Sequence, residues 1–290
     1  MKRMTTVLRE MLNSDKMMIC PCVYDALSAK IAERVGFDMV GVGGNALGAA
    51  LGISEPLLCL EDLVRVCRYI TSFINIPLKV DAGAGFGEPL HVMRTIKELE
   101  MAGVAAAHIE DQIYPKRAHY HKGVEHIISA EKMVEKLKAA TEARQDKDFI
   151  IIGRTDSMRT DGFPEGVRRA NLYLESGADM VYVFPNNERE ARQAPREING
   201  PLTCLVSDGN RMGRPHFSIK ELQDMGYKMV AYPSSCIQVA VKAVREMLKT
   251  LKETGRTGLD QTEFIGIRKY IEDSIGLEEM YRVEKETVEK

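Results

Sequence analysis

Lys79-Val80-Asp81-Ala82-Gly83-Ala84-Gly85-Phe86-Gly87 and, one helical stretch later, Ala105-Ala106-Ala107-His108-Ile109-Glu110-Asp111-Gln112 decide how the chain folds. In each, an apolar run ends abruptly in a carboxylate and gives way to glycine or polar loop. That is the pattern of a strand delivering an acid to the edge of a sheet. A basic loop follows: Tyr114-Pro115-Lys116-Arg117-Ala118-His119-Tyr120-His121-Lys122-Gly123. Two acids on neighbouring parallel strands suit a hard divalent cation such as Mg²⁺, which takes one or two carboxylates together with waters and substrate oxygens. The Lys, Arg and His beside them would face an anionic substrate.

Outward from this stretch the pattern repeats. Apolar runs at 17–23, 39–43, 78–80, 105–109, 149–153, 180–184, 202–206 and 229–232 make eight candidate strands. Most are apolar throughout rather than alternating, as expected of strands buried on both faces. The segments between them have helical spacing. Asp25 stands as N-cap before Ala26, Leu27, Ile31 and Val35, and Pro164-Glu165 opens a stripe of Val167, Ala170 and Leu174. Gly36, Gly177 and Gly226 each fall just before a strand, where a helix stop needs positive φ. Eight strand–helix units in series predict a single (β/α)₈ barrel domain over 1–290. A doubly wound sheet is the competing reading, but Gly83, Gly85 and Gly87 space as GxGxG, without the GxGxxG form of a dinucleotide site. Beyond the last strand, 237–251 is amphipathic, 255–258 breaks it, and Phe264, Ile267, Ile271, Leu277, Met280 and Tyr281 continue in stripes. The extension over 255–290 is expected to contact a partner subunit.

The 290 residues are 44% apolar and 28% charged, with a net charge of −2. That composition fits a large globular core and carries no general attraction to nucleic acid or membrane, so local basic clusters mean local anion binding. No apolar run is long enough to cross a bilayer, and Met1-Lys2-Arg3 is not followed by the apolar stretch of a secretory leader. The six cysteines are scattered, mostly in apolar runs, and are expected to be buried, reduced thiols in a cytoplasmic protein.

In a barrel of this kind the active site lies at the C-terminal ends of the strands. Those ends bring Tyr24, Gly43-Gly44-Asn45, Asp81, Glu110, Arg154, Asn186, Asp208, Asn210 and Ser234-Ser235 to one pole. Asp81 and Glu110 are the candidate metal ligands. Arg154 is placed either to grip a substrate carboxylate in bidentate fashion or to pair with Asp156 or Glu110. Gly43 and Gly44 offer backbone N–H groups or simply a tight turn. His108, inside an apolar strand, reads as a core residue. His119, His121 and His126 have no common secondary structure to align them on a metal, so the long loop that carries them reads as a lid over an anion.

Taken in order, Val80–Gly87, His108-Ile109-Glu110-Asp111-Gln112, Pro115-Lys116-Arg117 and Gly153-Arg154-Thr155-Asp156 resemble the isocitrate lyase/phosphoenolpyruvate mutase superfamily. Tyr24-Asp25-Ala26-Leu27-Ser28-Ala29 and Tyr232-Pro233 extend the resemblance over nearly the whole chain. The nearest branch is the short methylisocitrate lyase and carboxyphosphonoenolpyruvate mutase group. The resemblance implies a (β/α)₈ barrel with its last helix swapped between subunits of a homodimer or homotetramer, and a Mg²⁺ or Mn²⁺ ion. It implies cleavage or formation of C–C or P–C bonds beside a 2-oxo or 2-hydroxy acid, through a pyruvate enolate held on the metal. It further implies Asp81 as direct ligand, and Glu110 and Glu55 as supporting ligands. Tyr24, Gly43, Gly44, Asn45, Arg154, Asn186 and Asn210 would be substrate contacts. Lys116, Arg117 and Arg154 would belong to the catalytic group, with His119, Tyr120 or His121 as the substitute for the family's loop cysteine.

Departures from the family pattern fall in the same places. Its lyases carry Lys-Lys/Arg-Cys-Gly-His on the loop. Here Ala118 takes the cysteine position and His119-Tyr120-His121 replaces Gly-His, and a methyl group transfers no proton. Gly83 stands for the second acid of an Asp-x-Asp, Asn186 for a pocket Glu, and Val42 for a serine. The expected reaction is metal-dependent C–C cleavage of a small methylisocitrate- or dimethylmalate-like acid. The alternatives are a P–C enzyme of the phosphonopyruvate hydrolase or mutase type, an oxaloacetate decarboxylase, or a non-catalytic carboxylate binder.

Overall fold

All eight apolar runs become strands in the computed structural model, which describes residues 2–210 and 213–289. They are β1 (Met18–Val23), β2 (Val40–Val42), β3 (Leu78–Asp81), β4 (Ala106–Glu110), β5 (Ile150–Arg154), β6 (Met180–Tyr182), β7 (Leu202–Leu205) and β8 (Met229–Tyr232). Each pairs parallel to the next, and β8 returns to β1 from Met18↔Met229 to Pro21↔Tyr232, closing the barrel. Three strands run one residue further than their apolar stretch and take in a charged residue. Asp81 pairs with His108 in register, and Glu110 with Arg154. The ladder is a backbone property, so a charged side chain need not end it when that side chain can turn into the barrel mouth.

Strand parity sorts the core into two clusters. Val80, Ala107, Ile109, Ile151 and Val181 face outward onto the helices, whereas Met18, Cys20, Ile150, Ile152, Met180 and Met229 fill the barrel. The helix Met4–Asn13 contributes Leu8 and Leu12 to the inner cluster.

The helices start and stop on the expected signals. Asp25 caps Ala26–Val35 by accepting from the Ser28 N–H, and the Ser28 hydroxyl answers back. Gly36 and Gly226 end their helices at φ +103°, a conformation that side-chain-bearing residues rarely adopt. Cys20, Cys22, Cys67 and Cys204 are buried free thiols, but Cys59 is exposed. It occupies the N-cap position of Leu60–Thr71, with its Sγ 3.1 Å from Asp62 Oδ2. No described helix is long and apolar enough to cross a membrane.

The chain divides into two compact units, Met1–Ile237 and Gln238–Lys290, rather than at residue 255. The division falls near the start of the helix Ser235–Thr254, which buries none of its residues. The second unit continues through the helices Gln261–Ser274 and Leu277–Thr287 and leaves Val244, Leu248, Phe264, Ile267, Met280 and Tyr281 exposed.

Candidate active site

The last residues of β3, β4 and β5 meet at the barrel mouth. Arg154 Nη1 lies 3.0 Å from Glu110 Oε2 and 3.8 Å from Asp81 Oδ2, and its Nη2 lies 3.1 Å from Asp156 Oδ2. The guanidinium also sits over the Phe184 ring, at 4.7 Å. Lys116, from the basic loop, reaches down between two acids. Its ammonium contacts Glu55 Oε1 and lies 2.9 Å from Glu110 Oε1, with the Tyr120 ring 3.9 Å away. His108 Nε2 is 3.0 Å from Asp81 Oδ1. Acids and bases therefore alternate around one buried rim: Glu55, Lys116, Glu110, Arg154, Asp81.

This alternation sets the protonation states. Burial works to raise the Asp81 carboxyl, but His108 and Arg154 hold it well below its ordinary value. Glu110 is 0% exposed, and burial pushes it up to about 7 against the pull of Arg154 and Lys116. Burial likewise pushes His108 down to about 4 despite Asp81, so the ring is neutral near pH 7. Burial opposes the charge on Lys116, yet Glu110 and Glu55 raise it well above the ordinary lysine value.

Behind the rim, Asp111 fixes the loop that follows β5. Its Oδ2 accepts from Thr155 Oγ1 at 2.7 Å, Tyr173 OH at 2.9 Å and Arg169 Nη1 at 3.1 Å, while Oδ1 accepts from the Asp156 N–H at 3.0 Å. Asp156 is thereby held against both Arg154 and the Gln112 amide, 2.9 Å away. On the β2 side, Gly43 precedes the helix Gly44–Leu51, whose N-terminus opens on the cavity. A Cβ at Gly44 would come within 2.8 Å of Glu55 Cγ, so the glycine is what lets Glu55 lie against this turn.

The cavity so formed encloses about 150 Å³. Of the residues singled out in the sequence, Gly43, Gly44, Asn45, Glu55, Asp81 and Arg154 line it, and Glu110 and Lys116 pair at its rim. Others are not brought in. Tyr24 is half-buried, its backbone N–H facing Ser28 Oγ at 3.3 Å. Asn186 is exposed and gives its amide to the Met158 carbonyl. Asn210 spends its amide on the Ser207 and Arg214 carbonyls of its own loop, while Ser207 and Arg214 reach the cavity. Arg117, His119 and His121 are exposed on the loop.

That loop is closed at its base by the antiparallel Gln112↔Ile127 bridge, and its Ala118–Lys122 turn carries Tyr120 into the cavity wall. Glu125 pins the far side through a 2.5 Å ion pair with Arg159. His108 is buried, as a core residue would be, but it forms part of the cavity wall. Sequence reading also passed over Lys79, Tyr182 and Arg214, which line the cavity too. Parity was the signal for Lys79, since it shares a strand face with Asp81.

Among the described residues no three His, Cys, Asp or Glu side chains form a ready-made metal cage. The donors that are present, Asp81, Glu110 and Glu55, are hard carboxylates, and Glu110 Oε1 has no aligned hydrogen bond. This fits Mg²⁺ or Mn²⁺, which keep waters and substrate oxygens in their shell, better than a thiolate- or imidazole-seeking metal.

Known proteins match this architecture closely. The profile of the phosphoenolpyruvate phosphomutase family matches residues 8–252. A 2-methylisocitrate lyase of Aeropyrum pernix is 34% identical over 294 residues, covering 100% of this chain and 93% of that protein. The crystal structure of a 2,3-dimethylmalate lyase superposes with a TM-score of 0.90 at 31% identity, covering 99% of this chain and 96% of the other. A phosphonopyruvate hydrolase solved with oxalate and Mg²⁺ superposes with a TM-score of 0.87 at 26% identity, covering 99% and 100%. With its barrel, its rim of Asp81, Glu110 and Arg154, and these relatives, the chain belongs to the isocitrate lyase/phosphoenolpyruvate mutase superfamily.

Proposed function

We propose that the protein is a divalent-metal-dependent carbon–carbon lyase acting on a small 2-hydroxy or 2-oxo polycarboxylate of the methylisocitrate or dimethylmalate class. The observation that carries this reading is the alternation of Glu55, Glu110 and Asp81 with Lys116 and Arg154 around one buried mouth. Asp81 is the direct ligand and Glu110 and Glu55 the supporting ones for Mg²⁺ or Mn²⁺, which when bound supplies Lewis-acid stabilisation of negative charge on the substrate.

The remaining work belongs to the chain. Arg154, fixed from behind by Asp156, offers its guanidinium to the carboxylate next to the reacting carbon. The N–H groups at Gly43 and Gly44, where a helix begins, hold a substrate oxygen. The neutral His108 orients the Asp81 carboxylate. Lys116 holds Glu55 and Glu110 together when the loop is down, which makes loop closure a condition for a complete rim. With Ala118 inert, Tyr120 is the hydroxyl the loop carries to the cavity. In this reading it passes its proton to the carbon left with the electron pair of the broken bond, and the proton that the substrate hydroxyl gives up on becoming a carbonyl returns to the tyrosinate.

The exposed apolar residues of the C-terminal unit support pairing with a second copy, as a homodimer or homotetramer with a swapped helix. Free cysteines are consistent with a cytoplasmic setting.

The test is a substrate panel with Mg²⁺. Release of a 2-oxo acid from 2-methylisocitrate or 2,3-dimethylmalate is the expected result, and Asp81→Ala should abolish it. Phosphate release from phosphonopyruvate alone would move the protein to P–C chemistry. Binding without turnover would make it a carboxylate binder.

A further inference from the structure

Among the described residues that line the cavity, Lys79 and Arg214 both stand outside the ion pairs, and Lys79 is the one that rises from a barrel strand. Lys79 is the second residue of β3, on the same strand face as Asp81 and one pleat deeper. It is 2% exposed and lines the floor of the cavity. Its register neighbours are Gly41 on β2 and Ala106 on β4, two of the smallest side chains available. Gly41 must stay small, because a Cβ there would meet Cys20 Sγ at 2.8 Å and Cys22 Sγ at 3.0 Å. The barrel thus leaves room for a long side chain where its inner wall is otherwise apolar.

The ammonium fills that room without a counter-charge. Among the described residues it has no hydrogen bond and no ion pair; the Tyr182 ring lies 5.2 Å from Nζ, and the Cys20 and Cys22 thiols and the His108 ring are the other polar groups that feel its charge. Asp81, the acid on its own strand, is directed to His108 and Arg154. A buried charge without a partner is strongly unfavourable, and a cation–π contact offsets only part of the cost. An anion entering the cavity would supply the missing partner. Lysine presents a compact point charge, which suits one carboxylate, whereas a phosphonate with three oxygens would call for more donors than this floor holds.

We propose that Lys79 is the specificity-determining residue of this cavity, an anion site at its floor that receives a second carboxylate of the substrate, the one remote from the chelating end. This rests on the reading of the mouth as a metal-chelating site for 2-oxo and 2-hydroxy acids. Acids with a carboxylate extending down the barrel axis are selected over those whose far end is neutral.

The experiment compares two probes in the presence of Mg²⁺ by calorimetry. Oxalate is short enough to occupy only the chelating end, whereas oxaloacetate carries a further carboxylate. In Lys79→Met the oxalate Kd should stay within about twofold, while oxaloacetate binding weakens at least about tenfold, the loss expected for one charge-assisted hydrogen bond. Lys79→Arg should recover part of it. Equal weakening of both probes, or of neither, overturns the proposal. If Lys79→Met does not fold, the native protein provides the same contrast. Oxaloacetate should bind at least about tenfold more tightly than its 4-monoamide, and equal affinities overturn the proposal. Failure of the native protein to bind oxalate with Mg²⁺ would instead defeat the chelating reading of the mouth.

Discussion

Glu110 is the residue on which pH acts most directly. Its carboxyl titrates near 7 in the folded chain against 4.5 ordinarily, because burial outweighs Arg154 and Lys116. A carboxyl with a raised folded value favours the fold while protonated. Its contribution to the metal-free protein is therefore complete below 4.5 and is lost as pH rises through about 7. Metal binding has the opposite sign, since a ligand must give up its proton. Mg²⁺ affinity should rise by up to about tenfold per pH unit below that point and level off above it. Glu110→Gln should flatten the profile, and an equally steep one in that variant would remove Glu110 from the ligand set. Asp111 is the residue whose loss should unfold most. Asp111→Ala takes the acceptor from Thr155 Oγ1, Tyr173 OH and the Asp156 N–H and leaves Arg169 with Glu165 alone as counter-charge, at a cost of about 3–5 kcal/mol measured by urea unfolding.

At the scale of elements, the loop between β4 and the helix Ala130–Ala143 decides whether the rim is complete. It is tied by the Gln112↔Ile127 bridge at its base and by Arg159 to Glu125, and Lys116 and Tyr120 are the residues it brings to the rim and the cavity wall. Tyr120→Phe keeps the ring under the Lys116 ammonium and removes only the hydroxyl. It should lower kcat about a hundredfold with Mg²⁺ affinity unchanged, in line with loss of a proton donor. His121→Ala should leave kcat within about twofold, because that side chain is exposed and lies outside the cavity wall. If the two variants exchanged phenotypes, the loop would have to close with a different residue inward.

For the whole molecule, the C-terminal unit is the part whose surface does not suit water. Val244 and Leu248 lie one helical turn apart on Ser235–Thr254, and both are exposed. The assembly proposed above would cover them, so Val244→Asp with Leu248→Asp should shift the sedimenting species toward monomer. An unchanged oligomer, or a native protein that is monomeric at every concentration, would count against it.

The sequence by itself determined the barrel and the identity of its rim. Buried parallel strands write themselves as short apolar runs, and a carboxylate or guanidinium at the end of a run has one place to go. Asp81, Glu110 and Arg154 were therefore legible in the sequence. What followed the irregular segments was not. Asn186 and Asn210 also stand after apolar runs, yet loop backbone turned both away from the cavity, since loop geometry carries no period to read. Only tertiary structure set Tyr120 rather than His121 inward, and only barrel closure enclosed Lys79 across from the Tyr182 ring. Periodicity reports which face of an element is buried. Which groups share a cavity depends on distances between strands far apart in the chain, and those exist only once the sheet has closed.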